Sequence, residues 1–160
     1  MPDQSHQPHT LPAVVAAAAR QHAGRVAIAD GGVEVTYEQL DAARIASARA
    51  FVAAGLQPGE RVAIWAPNIS EWILAALGAQ TVGGVLVPLN TRLKGAEASY
   101  ILNASGARLL FTVGDFLGVS YPGLLRGHAL PDLERIVLLR GETADALSWE
   151  AFLAAGAGVT

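Results

Sequence analysis

Lys94 is the only lysine in the chain, and the histidines stand at positions 6, 9, 22 and 128. These residues are the first to weigh for proton transfer, phosphate binding or metal ligation. A P-loop needs a Gly-Lys-Ser/Thr run, in which backbone amides and the lysine hold phosphates. Lys94 sits instead in Leu93-Lys94-Gly95. A dinucleotide site needs G-x-G-x-x-G between a strand and a helix. Gly156-Ala157-Gly158 is followed only by Val159-Thr160, which leaves no helix to receive a phosphate. No G-x-S-x-G elbow raises a serine nucleophile. The chain has no cysteine, so disulfides, thiol nucleophiles and thiolate metal sites are excluded. His6 and His9 flank Pro8 with no further ligand nearby to complete a metal site. His22 closes a predicted helix, where a cation suits the helix dipole, and His128 lies in a polar turn.

Composition narrows the function classes further. The chain has 160 residues, 52% apolar and 16% charged, which suits one domain. Eleven basic against fourteen acidic residues give a net charge of −3. That balance supplies no basic excess for releasing counterions, which argues against a nucleic-acid partner. Residues 1–10 (MPDQSHQPHT) read as a disordered polar tail, and the apolar run after it lacks the basic flank of a signal peptide. Glu71 to Arg92 encloses a charge-free stretch long enough to span a bilayer. Gln80, Gly83-Gly84, Pro88 and Asn90 divide it into a helical and an extended half, so no membrane span is expected and the default location is cytoplasmic.

The elements that would position chemistry follow from periodicity and punctuation. Leu11–Ala23 has helical composition. Val26–Ala29 and Val33–Thr36 flank Asp30-Gly31-Gly32, a hairpin signal. Thr36 and Gln39 form a capping box, with Val35 and Leu40 as its hydrophobic staple, for a helix ending at Ala54-Gly55. Val62–Trp65, Val85–Val87, Leu109–Val113 and Ile136–Leu139 read as buried strands. Helices are expected after Asn68, over Ala96–Ala104, and over Trp149–Ala155 behind Ser148. The helix Ile69–Val82 is apolar over most of its circumference and should be buried on more than one side. Phe116–Leu125 reads as irregular or partly helical. The fold class is therefore α/β, a largely parallel sheet flanked by helices with an N-terminal β-hairpin.

In such a sheet ligands bind beyond the carboxyl ends of the strands. Those positions hold Ala66-Pro67-Asn68, Leu89-Asn90-Thr91-Arg92 and Gly114-Asp115. Asn68, with Glu71 three residues on, reads first as a helix cap and otherwise as a ligand contact. Asn90 and Arg92 read first as loop residues that satisfy backbone groups, and otherwise as ligand contacts. Asp115 reads as a cap for the segment after it.

Longer stretches carry a resemblance. Val35-Thr36-Tyr37-Glu38-Gln39-Leu40 resembles the first core motif of the AMP-forming acyl-CoA synthetases, the adenylate-forming ligases. Pro58-Gly59-Glu60-Arg61-Val62-Ala63-Ile64-Trp65-Ala66-Pro67-Asn68 resembles the next block, and Gly78 through Leu93 the second core motif. The motifs come in family order and spacing, and the similarity runs over roughly residues 11–156. Phe111–Gly118, Ala129–Leu139 and Ser148–Gly158 look most like the bacterial branch of steroid ring degradation, which activates a propanoate chain on a bicyclic indanedione.

The resemblance implies that residues 11–160 are the leading, incomplete part of a large adenylate-forming domain. It implies an ATP-dependent ligase that turns a carboxylic acid into an acyl-adenylate and then an acyl-CoA thioester, in lipid or steroid catabolism. ATP, Mg²⁺ and coenzyme A are the cofactors of the full-length family. The phosphate loop, ribose carboxylate and catalytic lysine of that family lie beyond this segment. No catalytic, cofactor-binding or metal-ligating residue is therefore assigned here, Lys94 included, and the segment alone is expected to bind no cofactor and to be inactive. The implied partners are a carboxylic-acid substrate and the remainder of the ligase chain. A non-catalytic binding or scaffolding module, or one half of a split ligase, is the alternative.

Overall fold

The structure is a computed structural model that describes residues 10–160. The polar tail read for residues 1–10, with His6 and His9, lies outside the described residues except for Thr10, whose hydroxyl caps the first helix. In chain order the elements are α1 (Leu11–His22), β1 (Val26–Asp30), β2 (Val33–Thr36), α2 (Tyr37–Ala53) and β3 (Arg61–Trp65). Next come α3 (Ser70–Thr81), β4 (Val85–Pro88), α4 (Gly95–Ser105), β5 (Ala107–Val113), β6 (Asp115–Phe116) and β7 (Val119–Ser120). The chain closes with α5 (Tyr121–Leu124), β8 (Arg135–Arg140), β9 (Leu147–Ser148) and α6 (Trp149–Ala155).

The main sheet has the order β4-β3-β5-β8-β9 and every pair in it is parallel. The α/β class with an N-terminal hairpin is as expected, β1 and β2 pairing antiparallel across Gly31-Gly32. Successive residues of a strand face opposite sides. Ile64 pairs with Phe111, and Phe111 packs on Phe51 of α2 and Phe152 of α6 at centroid distances of 5.1 Å each. Trp65 pairs with Thr112 and packs on Tyr121 of α5 at 4.6 Å. The aromatic core therefore lies on the α2/α6 face. A Cβ on Gly95 would stand 1.9 Å from the Leu124 carbonyl oxygen, so α4 shares the opposite face with α5.

Local chemistry explains the main boundaries. Thr36 Oγ1 accepts from the Gln39 N–H (3.3 Å) and Gln39 Oε1 from the Thr36 N–H (2.9 Å), the capping box of α2. Gly55 ends α2 at φ +77°, with the Leu56 N–H donating back to the Phe51 carbonyl. α3 is buried on several sides by α1, α2 and the sheet of this same chain, and only Ile73 among its large apolar side chains is classed as exposed.

Two expectations need correction, and two short features add to the reading. Asn68 does not cap α3: the N-cap position is Ile69, which has no side-chain acceptor. β4 is not buried, because α4 carries the chain back over β3 to β5 and leaves β4 at the sheet edge, with Val85 46% exposed. Phe116–Leu125 is partly helical, as expected, through α5, and its first half belongs to the β6–β7 hairpin, which the sequence did not show. β9 adds a two-residue strand just before α6, too short to show as a pattern.

Candidate functional site

Across the strand order, β3 leads into α3 on one face and β4 into α4 on the other. Loops that leave adjacent parallel strands toward opposite faces open a crevice at their carboxyl ends. That crevice is a cleft of about 550 Å³ lined by Ala66, Pro67, Asn68, Trp72, Pro88, Leu89, Asn90 and Thr91. Asn68 and Trp72 also line a second hollow of about 380 Å³, closed on its far side by Ile28, Ala29 and Asp30 of the hairpin.

The β4 wall is held from beneath by two buried aromatic donors. The Trp65 indole N–H donates to the Asn90 carbonyl (3.0 Å), and the Tyr121 hydroxyl donates to the Thr91 carbonyl (2.9 Å). Burial pushes the Tyr121 phenol upward from its ordinary pKa. The Trp65 carbonyl accepts from Thr112 Oγ1 (2.7 Å), which locks the strand end in turn. Asn90 Oδ1 accepts from the Arg92 N–H (2.9 Å), an Asx turn, as the structural reading of Asn90 expects.

The β3 wall depends on a distant residue. The Ser70 N–H at the start of α3 donates to Asp30 Oδ2 (3.0 Å), so the hairpin supplies the acceptor that Ile69 lacks. Arg140, at the end of β8, joins Asp30 and grips Glu71 through its Nε (2.9 and 3.1 Å). The Ser70 amide first, and the Arg140 guanidinium second, hold the Asp30 carboxyl below its ordinary pKa. Glu71 first, then Asp30, push the Arg140 guanidinium up. Released from capping, Asn68 is exposed at the junction of both hollows with its amide free to meet a ligand.

Sequence reasoning placed Asn68, Asn90 and Thr91 at strand ends, and the structure brings them into one cleft. Arg92 and Lys94 lie on a neighbouring groove with Leu93, Phe116, Leu117 and Val119. Asp115 accepts from the Gly118 N–H (3.2 Å) and so caps the β6–β7 turn. His22 and His128 are exposed and apart from the cleft lining. Trp72, Asp30, Arg140 and Tyr121 were missed: Trp72 reads as helix core and Asp30 as a turn residue, while nothing near Arg140 or Tyr121 in sequence marks their partners. Among the described residues no group of three His, Cys, Asp or Glu side chains could hold a metal ion. The cleft lining is neutral, so these residues alone do not fit a triphosphate with its divalent cation.

An open parallel α/β sheet with a cleft beyond the carboxyl ends of two adjacent strands is an architecture that many ligand-binding α/β domains share. The chain matches the AMP-binding enzyme family over residues 15–154, and it belongs to that family. It is 38% identical over 149 residues to the 3-(7a-methyl-1,5-dioxo-octahydro-1H-inden-4-yl)propanoyl:CoA ligase of Mycobacterium tuberculosis, covering 93% of this chain and 29% of that enzyme. The enzyme of the same name from Rhodococcus jostii is 36% identical, covering 86% and 28%. Among solved structures, the anthranilate CoA ligase AuaEII in complex with anthranoyl-AMP superposes with a TM-score of 0.79 at 27% identity, covering 89% of this chain and 27% of that one. The chain thus spans under a third of each of these three enzymes. No helix among the described residues is long and apolar enough to cross a membrane.

Proposed function

We propose that this chain is the leading part of the large domain of an AMP-forming acyl-CoA ligase, with residues 11–160 as one incomplete folding unit. The whole ligase joins a carboxylate to the α-phosphate of ATP, releasing pyrophosphate, and the coenzyme A thiol then displaces AMP to form a thioester. The observation that carries this reading is the 38% identity over 93% of the chain to an indenyl-propanoyl:CoA ligase. We take the propanoate in that relative's name as support for a bicyclic propanoate of lipid or steroid breakdown as the substrate class, and assign the reaction to the cytoplasm. Mg²⁺ accompanies the ATP and is held by the remainder of the ligase, as are the triphosphate and the coenzyme A. What this chain contributes is the cleft: Trp72 and Pro88 as apolar walls, and Asn68 as a neutral polar contact for whatever the completed enzyme places there.

The test is pyrophosphate exchange into ATP with a panel of carboxylates that includes bicyclic propanoates. The 160-residue chain alone stays at the blank. Joined to the portion of the Mycobacterium tuberculosis ligase that it does not match, it supports exchange with the propanoates. Turnover by the pure chain alone refutes the reading that the reacting groups lie outside it.

A further inference from the structure

The β6–β7 hairpin carries the one non-glycine residue at positive φ among the described residues, Leu117 at +53°. Phe116 pairs with Val119, so Leu117-Gly118 is a two-residue loop in which both positions need positive φ. Asn-Gly is the usual answer; a leucine in that conformation is strained by its own Cβ. Leu117 is also 86% exposed, the highest among the exposed large apolar side chains. A side chain that is both strained and unburied gains nothing from this chain's own packing, which makes Leu117 a candidate contact for something outside the chain.

Its surroundings say what that is. Leu117 lies on a groove of about 220 Å³ whose apolar lining includes Leu93, Phe116 and Val119. Arg92 and Lys94 line the same groove, no acidic side chain does, and neither cation's side chain has a hydrogen-bonded or ionic partner among the described residues. Arg44, Arg108 and Arg140 engage carboxylates, whereas Arg20, Arg25, Arg49, Arg126 and Arg135 share the freedom of Arg92 among the described residues, so what marks the groove is two free cations beside an apolar lining. Thr91 lines both this groove and the strand-end cleft, so whatever fills the groove abuts the cleft.

We propose that this groove is a docking surface for the part of the ligase that this chain does not contain. The docked segment carries an apolar residue against Leu117 and Leu93 and a carboxylate facing Arg92 and Lys94. The occupant follows from the opposite charge the groove demands and from the roughly seventy per cent of the related ligase that has no counterpart here. The inference rests on the ligase reading above.

The experiment co-expresses the tagged chain with the unmatched portion of the Mycobacterium tuberculosis ligase and measures how much of it co-purifies. Leu117→Asn is the central variant, because asparagine suits positive φ and relieves the strain. It should lower co-purification about tenfold, as truncation of an interface anchor does, while the melting temperature of the chain alone holds or rises. Arg92→Glu with Lys94→Glu should give a similar loss that a matching acidic-to-basic change in the docked segment restores. Full retention by both variants overturns the docking site and leaves the ligase reading standing. No co-purification with the unaltered chain overturns the ligase reading itself. A Leu117→Asn variant that loses only self-association, or only binding to phosphatidylglycerol vesicles, also overturns the proposal, since a second copy or a lipid surface is then the occupant.

Discussion

Replacing Gly78 by alanine tests how tightly α3 is set against α2, and so how the Asn68 wall is placed. Judged by helix propensity alone, the substitution in the interior of α3 should stabilise by about 1 kcal/mol. The packing opposes it. A Cβ on Gly78 would stand 2.1 Å from Ser47 Oγ, 2.5 Å from Ser47 Cβ and 3.0 Å from the Ser47 carbonyl carbon. A hydroxyl can rotate away, but a Cβ and a backbone carbon cannot, so the two helices must part. Overpacking of this kind costs about 1–3 kcal/mol, and the rigid contacts place this site at the upper end. The net expectation is a loss of about 1–2 kcal/mol. Ser47→Gly removes both nearest atoms, and with them a buried hydroxyl that has no partner. The pair should therefore couple, Gly78→Ala costing at least ~1 kcal/mol less in the Ser47→Gly background. Urea unfolding of the four proteins, compared at a common slope, reads both quantities. A Gly78→Ala chain as stable as the parent, or strict additivity in the cycle, would show that α3 is not pinned at this crossing.

Two further outcomes concern the elements around the cleft. Thr36→Ala should cost about 1 kcal/mol by removing the acceptor for the Gln39 N–H, and Gln39→Ala less, both read as shifts in the urea midpoint. Asp30 has a lowered folded pKa, so its stabilisation is present above its ordinary value of 3.8 and is lost as pH falls through the lower folded value. Asp30→Asn should remove that portion of the acid-side slope of the melting temperature and lower stability at neutral pH; an unchanged acid limb contradicts the assignment.

The parts of the fold legible in sequence were those whose causes are local. The Thr36–Gln39 box, the Asp30-Gly31-Gly32 turn and Gly55 after α2 each act within a few residues of themselves. Asn68 was misread because asparagine before a helix is the usual cap, whereas the real acceptor, Asp30, lies 40 residues away. Val85-Leu86-Val87 gives the same apolar run whether a strand is central or at an edge; only the return of α4 across β3 decides it. The β6–β7 hairpin was hidden because Leu117-Gly118 lacks the residue types its turn prefers. The cleft floor was hidden too, since Trp65 and Tyr121 reach carbonyls 25 and 30 residues away.

The two walls of the cleft are fixed by separate networks, and that separation bears on what the cleft can do. The β4 wall hangs from Trp65 and Tyr121, neutral donors on the α4/α5 face. The β3 wall hangs from Asp30, Arg140 and Glu71, a charged cluster that ties the hairpin and β8 to the start of α3. Both networks leave the walls stiff and the lining without charge. The charged groups nearest the β3 wall, Asp30, Glu71 and Arg140, are engaged with one another and leave one net negative charge behind that wall. A neutral cleft of this kind can orient a group through its amide and hydroxyl side chains and the Trp72 face, with hydrogen-bond donors but no formal charge to offer it. Under the proposed ligase reading, which creates charge on phosphate and acyl oxygens, such a cleft serves positioning and the formally charged groups come from outside its lining. Thr91 borders both the cleft and the Arg92–Lys94 groove, so the neutral lining and the two free cations adjoin there.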